Sequence, residues 1–172
     1  TGYLGSALVP ALEEHGHRLL LPEREEVTHG RYLASGPPKP IIHLAADPHG
    51  DWRANVFGTA NVLNWCPPLS RFIFASTLNA FGPTDKYDQE KQVAESIIIS
   101  RYDVTSVILR LGLVYGPGPL SKRGALNKVI RQAAAGETLT IAPRTSGKRD
   151  FVFIDDVVRA FVMALDAPPG IY

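Results

Sequence analysis

Short apolar runs alternate with longer segments of helical periodicity along this chain, and that alternation restricts the fold more than any other feature. RFIFAST and TSVILRLGLVYG are typical of strands buried on both faces, and YDQEKQVAESIIISRY between them has helical spacing. Buried strands separated by helices belong to parallel sheets, because each parallel connection needs a crossover. The alternation therefore predicts an α/β fold, with a doubly wound parallel sheet and helices on both faces.

The remaining segments continue this alternation. TGYLGSALVPALEEHG predicts a helix that begins near Leu4 and ends at Gly16, because glycine favours the left-handed conformation that follows many helices. The other predicted strands are RLLL and PIIHLAA, and the other predicted helices are NVFGTANVLNWC, GALNKVIRQAAAG and IDDVVRAFVMAL. ASGPPKP and GPGPLSKRG are loops by composition. We expect one domain over residues 1–172.

Composition argues against several classes of partner. The chain has 18 Lys and Arg against 17 Asp and Glu, so no overall field attracts nucleic acid or an anionic membrane. No apolar run approaches the ~20 residues that span a bilayer, and the first residues lack a signal-peptide pattern. The single cysteine, Cys66, forms no internal disulfide and fits a reducing compartment. We expect a cytoplasmic protein with a small-molecule substrate, no nucleic acid and no membrane.

Two glycines precede the first predicted helix. Gly2 and Gly5 in TGYLGS allow the backbone to approach a phosphate closely and direct helix N–H groups at it. Glu23 follows Gly5 by eighteen residues, near the ~20-residue offset at which an acid binds the ribose hydroxyls of NAD. Arg24 would instead receive the 2′-phosphate of NADP. The pattern favours a Rossmann-like sheet that binds NAD, with NADP possible; a plain helix-start turn and a solvated charged turn are the alternatives.

Tyr87 and Lys91 stand four residues apart in YDQEK, on a predicted helix. Positions i and i+4 share a helix face, so the Lys91 ammonium is expected near the Tyr87 hydroxyl. An unperturbed tyrosine, with a pKa of ~10, is a poor base at neutral pH, and a nearby cation lowers that pKa. Taken alone, the pair does not decide between two interpretations, of which the first is a proton-transfer device. The alternative is two ordinary side chains on a solvated helix.

The order of seven segments resembles the extended short-chain dehydrogenase/reductases, the NAD-dependent epimerase/dehydratase family. They are TGYLGS, IIHLAA, NVFGTANVL, RFIFAST with FG, YDQEK, LRLGLVYGPG and RDFVFIDDVVRA, and they cover almost the whole chain. The resemblance implies reversible hydride transfer between NAD and a carbon of a sugar or nucleotide sugar. Tyr87 would be the acid/base, Lys91 would tune it and hold the nicotinamide ribose, and Thr77 would position the substrate oxygen. Ser76 is the alternative to Thr77.

The resemblance also implies the other binding positions. Those for the cofactor are Gly2, Tyr3, Leu4, Gly5, Leu44, Ala45, Ala46, Asn55, Ala75, Ser76, Tyr87 and Lys91, besides Glu23 and Arg24; those for the substrate are Thr77, Asn79 and Arg149. The residues themselves offer competing explanations: a helix N-cap for Asn55 and a salt bridge to Asp150 or Asp155 for Arg149. His43 is expected to be a core histidine, because no second ligand lies at metal spacing. No metal is expected.

Two acids and three isoleucines have simpler explanations as well. Asp155 and Asp156 are expected to favour the N-terminus of a helix, by capping and by the helix dipole, and not to act as paired catalytic acids. The resemblance implies a homodimer formed through the helix of Tyr87, for which residues 97–99 offer an apolar surface. Core packing within one subunit explains these isoleucines equally well.

The chain departs from the family pattern at several points. Leu113 stands where relatives carry an asparagine, and leucine cannot make that polar contact, which leaves room for a free sugar acid, a lactone-type product or a smaller carbonyl compound. The alternative functions are a reductase or dehydrogenase of a non-sugar ketone or alcohol, and a non-catalytic dinucleotide sensor. Only ten positions separate Thr77 from Tyr87, where relatives have a longer loop, and no strand precedes TGYLGS. We expect the numbering to join segments of a longer protein. We expect its substrate-binding part, around residues 117–150 and beyond GIY, to be incomplete.

Overall fold

Four strands form a central parallel sheet in the computed structural model, which describes residues 2–22, 37–117, 125–139 and 149–172. They are β1 (Ile41–His43), β2 (Arg71–Thr77), β3 (Thr105–Leu111) and β6 (Gly170–Ile171), adjacent in that order. A second parallel pair joins β4 (Leu113–Tyr115) to β5 (Phe151–Phe153). The predicted α/β architecture is confirmed.

Five α-helices accompany the strands within the described residues. They are α1 (Tyr3–Glu14), α2 (Gly58–Asn64), α3 (Lys86–Ile99), α4 (Ala125–Ala134) and α5 (Ile154–Met163). A π-helical turn, Arg53–Phe57, leads directly into α2, and a 3₁₀ turn, Leu78–Phe81, follows β2. The loop predicted at 116–124 falls largely outside the described residues, as do residues 118–124 and 140–148 of the substrate-binding part predicted around 117–150.

Helix ends follow the local chemistry. At the start of α3 the Asp85 carboxylate accepts a hydrogen bond from the backbone N–H of Asp88, which is a standard N-cap. At the end of α1, Gly16 has φ +81°, and the His17 N–H reaches back to the carbonyl of Leu12. This is the C-terminal geometry that Gly16 predicts from the sequence.

The two faces of the sheet bury two separate apolar clusters. Alternate residues of β2 and β3 point to opposite faces, as strand geometry requires. One cluster packs α1 and α5 on Ile73, Ala75, Val107 and Leu109. The other packs α2 and α3 on Phe72, Phe74 and Ile108. Helices therefore cover both faces of the sheet, as the sequence predicts.

The prediction of a strand at RLLL is wrong. Residues 18–21 form no strand, and Leu20 is 73% exposed while Leu19 packs on the first core cluster. A strand forms only where a neighbouring strand supplies backbone partners. No pairing with this segment occurs within the described part of the chain, so its apolar composition alone does not produce a strand.

Gly112 divides the predicted strand TSVILRLGLVYG in two. A Cβ atom at this position would lie 2.4 Å from the backbone oxygen of Asp150. Glycine lets the chain leave β3, approach residue 150 and continue as β4, where the Leu113 N–H donates to the Asp150 carbonyl. The second sheet therefore depends on a close backbone contact that strand periodicity does not predict.

The three isoleucines at the end of α3 have different environments. Ile98 belongs to the second core cluster, Ile97 packs against that cluster, and Ile99 is half exposed. Packing within one subunit therefore accounts for two of the three. Across residues 2–22, 37–117, 125–139 and 149–172, no helix has the length and apolar character needed to cross a bilayer.

Candidate active site

The carboxyl ends of three parallel strands meet at one edge of the central sheet. His43 pairs with Phe74, and Thr77 pairs with Leu111, so β1, β2 and β3 end close together. The backbone after β1, residues 44–46, leaves the sheet beside the last residues of β2. In open parallel sheets this edge is where ligands bind.

The N-terminus of α1 suits a phosphate. Gly2 caps the helix with no side-chain hydrogen bond, and the first turn carries no acidic residue. A Cβ at Gly2 would have no atom within 4 Å in the described structure, so the approach to the helix N–H groups is open. The Tyr3 hydroxyl is buried without a hydrogen-bond partner among the described residues. These features fit the dinucleotide that Gly2, Tyr3, Leu4 and Gly5 predict.

Lys91 lies under this edge, almost completely buried at 1% exposure. Its Nζ donates to the carbonyl of Ala75, at 2.8 Å, and lies 4.3 Å from the centroid of the Phe74 ring. Burial lowers the pKa of Lys91 to about 7, and the carboxylate of Glu95 opposes that shift. The Nζ of Lys91 is therefore held beside Ala75, near the end of β2.

Tyr87 lies on the same face of α3 and is half buried. The Lys91 Nζ is 5.7 Å from the centroid of its ring. Burial raises the pKa of Tyr87 to about 12, and the nearby carboxylates of Asp88 and Asp85 add to that rise. The sequence-based expectation of a lowered tyrosine pKa is therefore not met here, because burial and two acids dominate while the Lys91 ammonium bonds a carbonyl. Tyr87 is a protonated phenol at neutral pH.

The hydroxyls at the end of β2 point to different faces. Thr77 is partly exposed, and its Oγ1 accepts from the backbone N–H of Asn79, which is itself exposed. Ser76 is buried and donates to the carboxylate of Glu95 on α3. The Thr77 hydroxyl proton remains available to a substrate oxygen, whereas Ser76 is committed to the protein interior. The geometry therefore favours Thr77 over Ser76 for the substrate contact.

Asn55 is buried in the π-helical turn, and protein groups occupy its side chain. Its amide donates to the Asp47 carbonyl and to Glu90 on α3, at 2.8 and 2.6 Å, and its oxygen accepts from the Asp47 N–H. It is not the N-cap of the turn, a position held by Trp52. Asn55 therefore fixes the backbone that follows β1 to the helix of Tyr87 and Lys91.

His43 is a core residue, as expected. Its Nε2 lies 3.0 Å from the Thr59 hydroxyl, and its ring stacks on Phe74. Burial first, and the charge of Lys91 second, lower the pKa of His43 to about 3. His43 is therefore neutral under ordinary conditions. In the described part of the chain, no three His, Cys, Asp or Glu residues group as metal ligands would.

Three further residues were predicted to bind substrate or cofactor, namely Glu23, Arg24 and Arg149. Glu23 and Arg24 lie outside the described residues. Arg149 is exposed, and no ion pair joins it to Asp150 or Asp155, which are both described. The alternative of a salt bridge from Arg149 is therefore not met among the described residues.

The acids at the start of α5 behave largely as the sequence predicts. Asp155 and Asp156 lie in its first turn, where they favour the helix dipole, although neither caps the helix. Asp156 pairs with Arg159 one turn later.

An apolar surface stands where relatives carry the asparagine. Leu113 is 46% exposed, and its register partner on β5, Phe151, is 50% exposed. Leu113 follows β3 by two residues, and the last residue of β3 pairs with Thr77. The surface therefore begins close to the end of β2.

The sequence analysis missed a buried polar layer on α3. Asp88, Glu90 and Glu95 are all at least 97% buried, as is Lys91 between them. Glu95 pairs through two oxygens with Arg110 of β3. The sequence does contain a signal for this layer, because Glu95 follows Lys91 by four residues and Arg110 lies in the next strand.

Known proteins resemble this chain along its length. A family model described as "NAD dependent epimerase/dehydratase family" matches residues 1–172. The trifunctional UDP-glucose 4,6-dehydratase/UDP-4-keto-6-deoxy-D-glucose 3,5-epimerase/UDP-4-keto-L-rhamnose-reductase of Arabidopsis thaliana is 27% identical over 157 residues, which cover 73% of this chain and 23% of that protein. The 2-alkyl-3-oxoalkanoate reductase of Stenotrophomonas maltophilia is 26% identical over 216 aligned residues, covering 98% of this chain and 64% of that protein.

A solved structure shares the fold. The UDP-glucose 4-epimerase of Thermotoga maritima, crystallised with UDP-glucose, superimposes with a TM-score of 0.82 at 23% identity, covering 99% of this chain and 73% of that chain. The likeness extends over nearly all of this chain. The chain spans less than two thirds of the length of either curated relative.

Proposed function

The chain belongs to the NAD dependent epimerase/dehydratase family, a family of enzymes, and from that premise we propose that it binds NAD at the carboxyl edge of its central sheet. Lys91 carries the proposal, because this lysine is buried at 1% exposure with its Nζ at the end of β2, and its bond to the Ala75 carbonyl offsets only part of the cost of burying the charge. Its burial lowers its own pKa and is unfavourable for folding, which is typical of residues kept for function.

The side chains at this edge have separate roles. The first turn of α1 would hold the pyrophosphate, and Lys91 would hold the ribose hydroxyls. Tyr87, whose pKa is raised to about 12, would donate its proton to the substrate oxygen when a carbonyl is reduced, which leaves a phenolate. When an alcohol is oxidised, the alcohol proton would pass to Tyr87 in its phenolate form, so this direction requires that Tyr87 first lose its proton. Thr77 would orient the same oxygen. NAD, when bound, supplies a hydride acceptor and donor.

The substrate we propose is a sugar or nucleotide sugar. The Arabidopsis relative and the Thermotoga structure both carry UDP-sugar names. The exposed guanidinium of Arg149 suits a phosphate group, since it has no ion pair with either neighbouring acid. Transient oxidation at one sugar carbon would then permit epimerisation or dehydration.

A specific observation favours a second candidate. Leu113 and Phe151 form an exposed apolar pair close to the end of β2, and a relative aligned with 98% of this chain is a 2-alkyl-3-oxoalkanoate reductase. A substrate with an alkyl chain beside its keto group would bury this pair. Turnover of such a keto acid without turnover of UDP-glucose would favour this candidate over the first.

Dinucleotide binding is tested at Gly2. We expect the protein to bind NAD in calorimetric titration, and Gly2→Glu to weaken binding at least about tenfold more than Gly2→Gln, because a carboxylate at a helix N-terminus repels the pyrophosphate. The two variants match in size and differ in charge, and a Cβ at Gly2 meets no described atom within 4 Å. Equal weakening would move the phosphate away from α1. A native protein that binds neither NAD nor NADP would contradict the proposal.

We also propose that the protein is a homodimer. The family resemblance implies a four-helix contact through α3, and the exposed side of that region carries Phe57, Ile99 and Tyr102. Sedimentation equilibrium is expected to give twice the chain mass, and Ile99→Lys to give monomers. Ile130→Lys, at an exposed residue on α4, is the matched control. A monomer at all concentrations would exclude the dimer.

A further inference from the structure

We propose that Glu95 is a positioning residue, which keeps Lys91 charged and aligned with the end of β2, and that Arg110 and Ser76 hold the Glu95 carboxylate in turn. The proposal rests on the function proposed for Lys91. It assigns a role in the site to a buried acid that does not itself reach the edge of the sheet.

The geometry links Glu95 to the same strand end as Lys91. Lys91 and Glu95 are one turn apart on α3 and face β2 together. Lys91 donates to the carbonyl of Ala75, and the next residue, Ser76, donates its hydroxyl to Glu95. The two side chains therefore form hydrogen bonds with adjacent residues of β2. A shift in the position of one side chain is expected to move the other.

Arg110 fixes the orientation of the carboxylate. Its Nε and Nη2 donate to the two Glu95 oxygens, at 3.0 and 2.6 Å, in the planar arrangement that suits a guanidinium. Arg110 is anchored by its place in β3, where its N–H donates to the carbonyl of Tyr172. The Glu95 side chain is 3% exposed and that of Arg110 is 22% exposed, so the carboxylate side of the pair is shielded from water.

The charged and titratable groups around Lys91 single out Glu95. From β1, His43 faces it as a neutral ring, because burial and the charge of Lys91 lower the pKa of His43 to about 3. From β2, the Ala75 carbonyl and the Phe74 ring contact it. From α3, Tyr87 is a neutral phenol, the carboxylates of Asp88 and Glu90 accept from Thr84 and Asn55, and the charge of Glu95 raises the pKa of Lys91.

Arg110 of β3 touches the carboxylate of Glu95, so the field at Lys91 comes from the pair. Glu95 remains the group that favours the charged form of Lys91 against the burial that lowers its pKa. Without Glu95, the lysine would lose its proton more easily and its hold on β2 would loosen.

A purely structural role for Glu95 makes a different prediction. A buried carboxylate that only neutralises Arg110 would affect stability and leave the titration of Lys91 unchanged. A carboxylate that acts on Lys91 shifts that titration, and its loss and the loss of Arg110 have different effects. The titration of Lys91 therefore separates the two roles.

The experiment is an NMR pH titration of the Lys91 Cε signal in protein labelled with ¹³C-lysine, without cofactor. The signal is identified by its absence from Lys91→Met. We expect Glu95→Gln to lower the pKa of Lys91 by about one pH unit and Arg110→Gln not to lower it, because Arg110 repels the ammonium.

Glu90→Gln is the matched control. It also removes a buried carboxylate from α3, but one that bonds Asn55 and not β2. The proposal is overturned when Glu95→Gln leaves the pKa of Lys91 unchanged. It is also overturned when Glu90→Gln shifts that pKa by the same amount. Glu95→Gln leaves Arg110 unpaired, and this variant could fail to fold for that reason. The double variant Glu95→Gln, Arg110→Gln removes both charges and is expected to lower the pKa of Lys91 as well. An unchanged pKa of Lys91 in the double variant would also overturn the proposal.

The pH dependence of NAD binding connects this residue to the site. If Lys91 binds the ribose as an ammonium, NAD affinity is expected to fall as the pH rises above the pKa of Lys91. In Glu95→Gln this fall is expected at a lower pH than in the native protein, and the difference should equal the change in the pKa of Lys91 measured by NMR. Native protein that does not bind NAD contradicts the proposed function and leaves the Lys91 titration as a test of Glu95. Native protein that binds NAD with no such interval contradicts the role of Glu95 alone.

Discussion

Lys91→Met is expected to raise the free energy of unfolding at pH 7 by a few kcal/mol while weakening NAD binding. A buried ammonium is unfavourable relative to a solvated one, and burial lowers the pKa of Lys91 to about 7 from an ordinary value of 10.5. Methionine has similar length, fills the space beside Phe74 and needs no hydrogen bond. The gain is therefore expected despite the loss of the bond to Ala75.

The pH dependence gives this prediction its sign. Between pH 7 and 10.5 the unfolded chain holds the Lys91 proton more firmly than the folded chain does. Stability of the native protein therefore rises with pH across this window, by up to about 1.4 kcal/mol per pH unit from this one group. Because methionine does not titrate, the advantage of Lys91→Met over the native protein shrinks as the pH rises towards 10.5.

Urea denaturation of both proteins at several pH values measures this difference. Subtracting the two curves removes the contributions of Tyr87, Cys66 and other groups that titrate in both proteins. Lys39→Met, at an exposed lysine beside β1, is the matched control and is expected to show no comparable gain. A Lys91→Met protein that is less stable at pH 7, or an advantage that grows with pH, would show that Lys91 stabilises the fold.

The sequence predicts the elements of this fold where local pattern and tertiary context agree. RFIFAST has the bounds of β2 because its β-branched and aromatic residues are buried on both faces and have strands on both sides. RLLL has the same apolar character and fails as a strand, since it lacks a paired neighbour in the described structure. Strand identity is thus partly a property of the partner.

The sequence predicts which residues of the candidate site share a helix face, but not the contacts that these residues make. Spacing alone places Tyr87 and Lys91 on one face of α3. It does not show that the Lys91 head bonds a carbonyl, that burial raises the pKa of Tyr87, or that Asn55 is occupied by Asp47 and Glu90. These depend on side-chain direction and on groups distant in sequence. The same limit explains why Glu95 was overlooked, since its partners come from two other strands.

Helix α3 has two sets of buried residues, one apolar and one polar, which have different roles. Its apolar residues Ala94 and Ile98 anchor the helix to the second core cluster. Its buried polar residues bond the ends of β2 and the turn of Asn55 instead. The first group holds the helix against the sheet, and the second sets the position of Tyr87 relative to the sheet edge. Changes to the second group are therefore expected to alter both the chemistry of the site and the stability of the fold.

Tyr87→Phe is expected to lower turnover by about 100- to 10,000-fold while NAD affinity changes little. The change removes only a hydroxyl, which is the group that would exchange a proton with the substrate oxygen. Its pKa of about 12 keeps that proton in place at neutral pH, so the phenol, and not a phenolate, is what the variant loses. The ring remains to pack against Lys91, which is why folding and cofactor binding are expected to persist.

Turnover is measured with NAD and UDP-glucose, and with NADH or NADPH and a 2-alkyl-3-oxoalkanoate, by nicotinamide absorbance, product mass and NMR of the product. NMR is needed because an epimer has the mass of its substrate and transient oxidation leaves NAD unchanged overall. Tyr102→Phe is the matched control, because Tyr102 is 97% exposed and its hydroxyl is remote from the proposed chemistry; its turnover is expected to equal that of the native protein. Activity in Tyr87→Phe equal to the native would remove Tyr87 from the mechanism. Native protein that binds the dinucleotide but turns over neither substrate class would instead favour a non-catalytic sensor, whose response survives Tyr87→Phe.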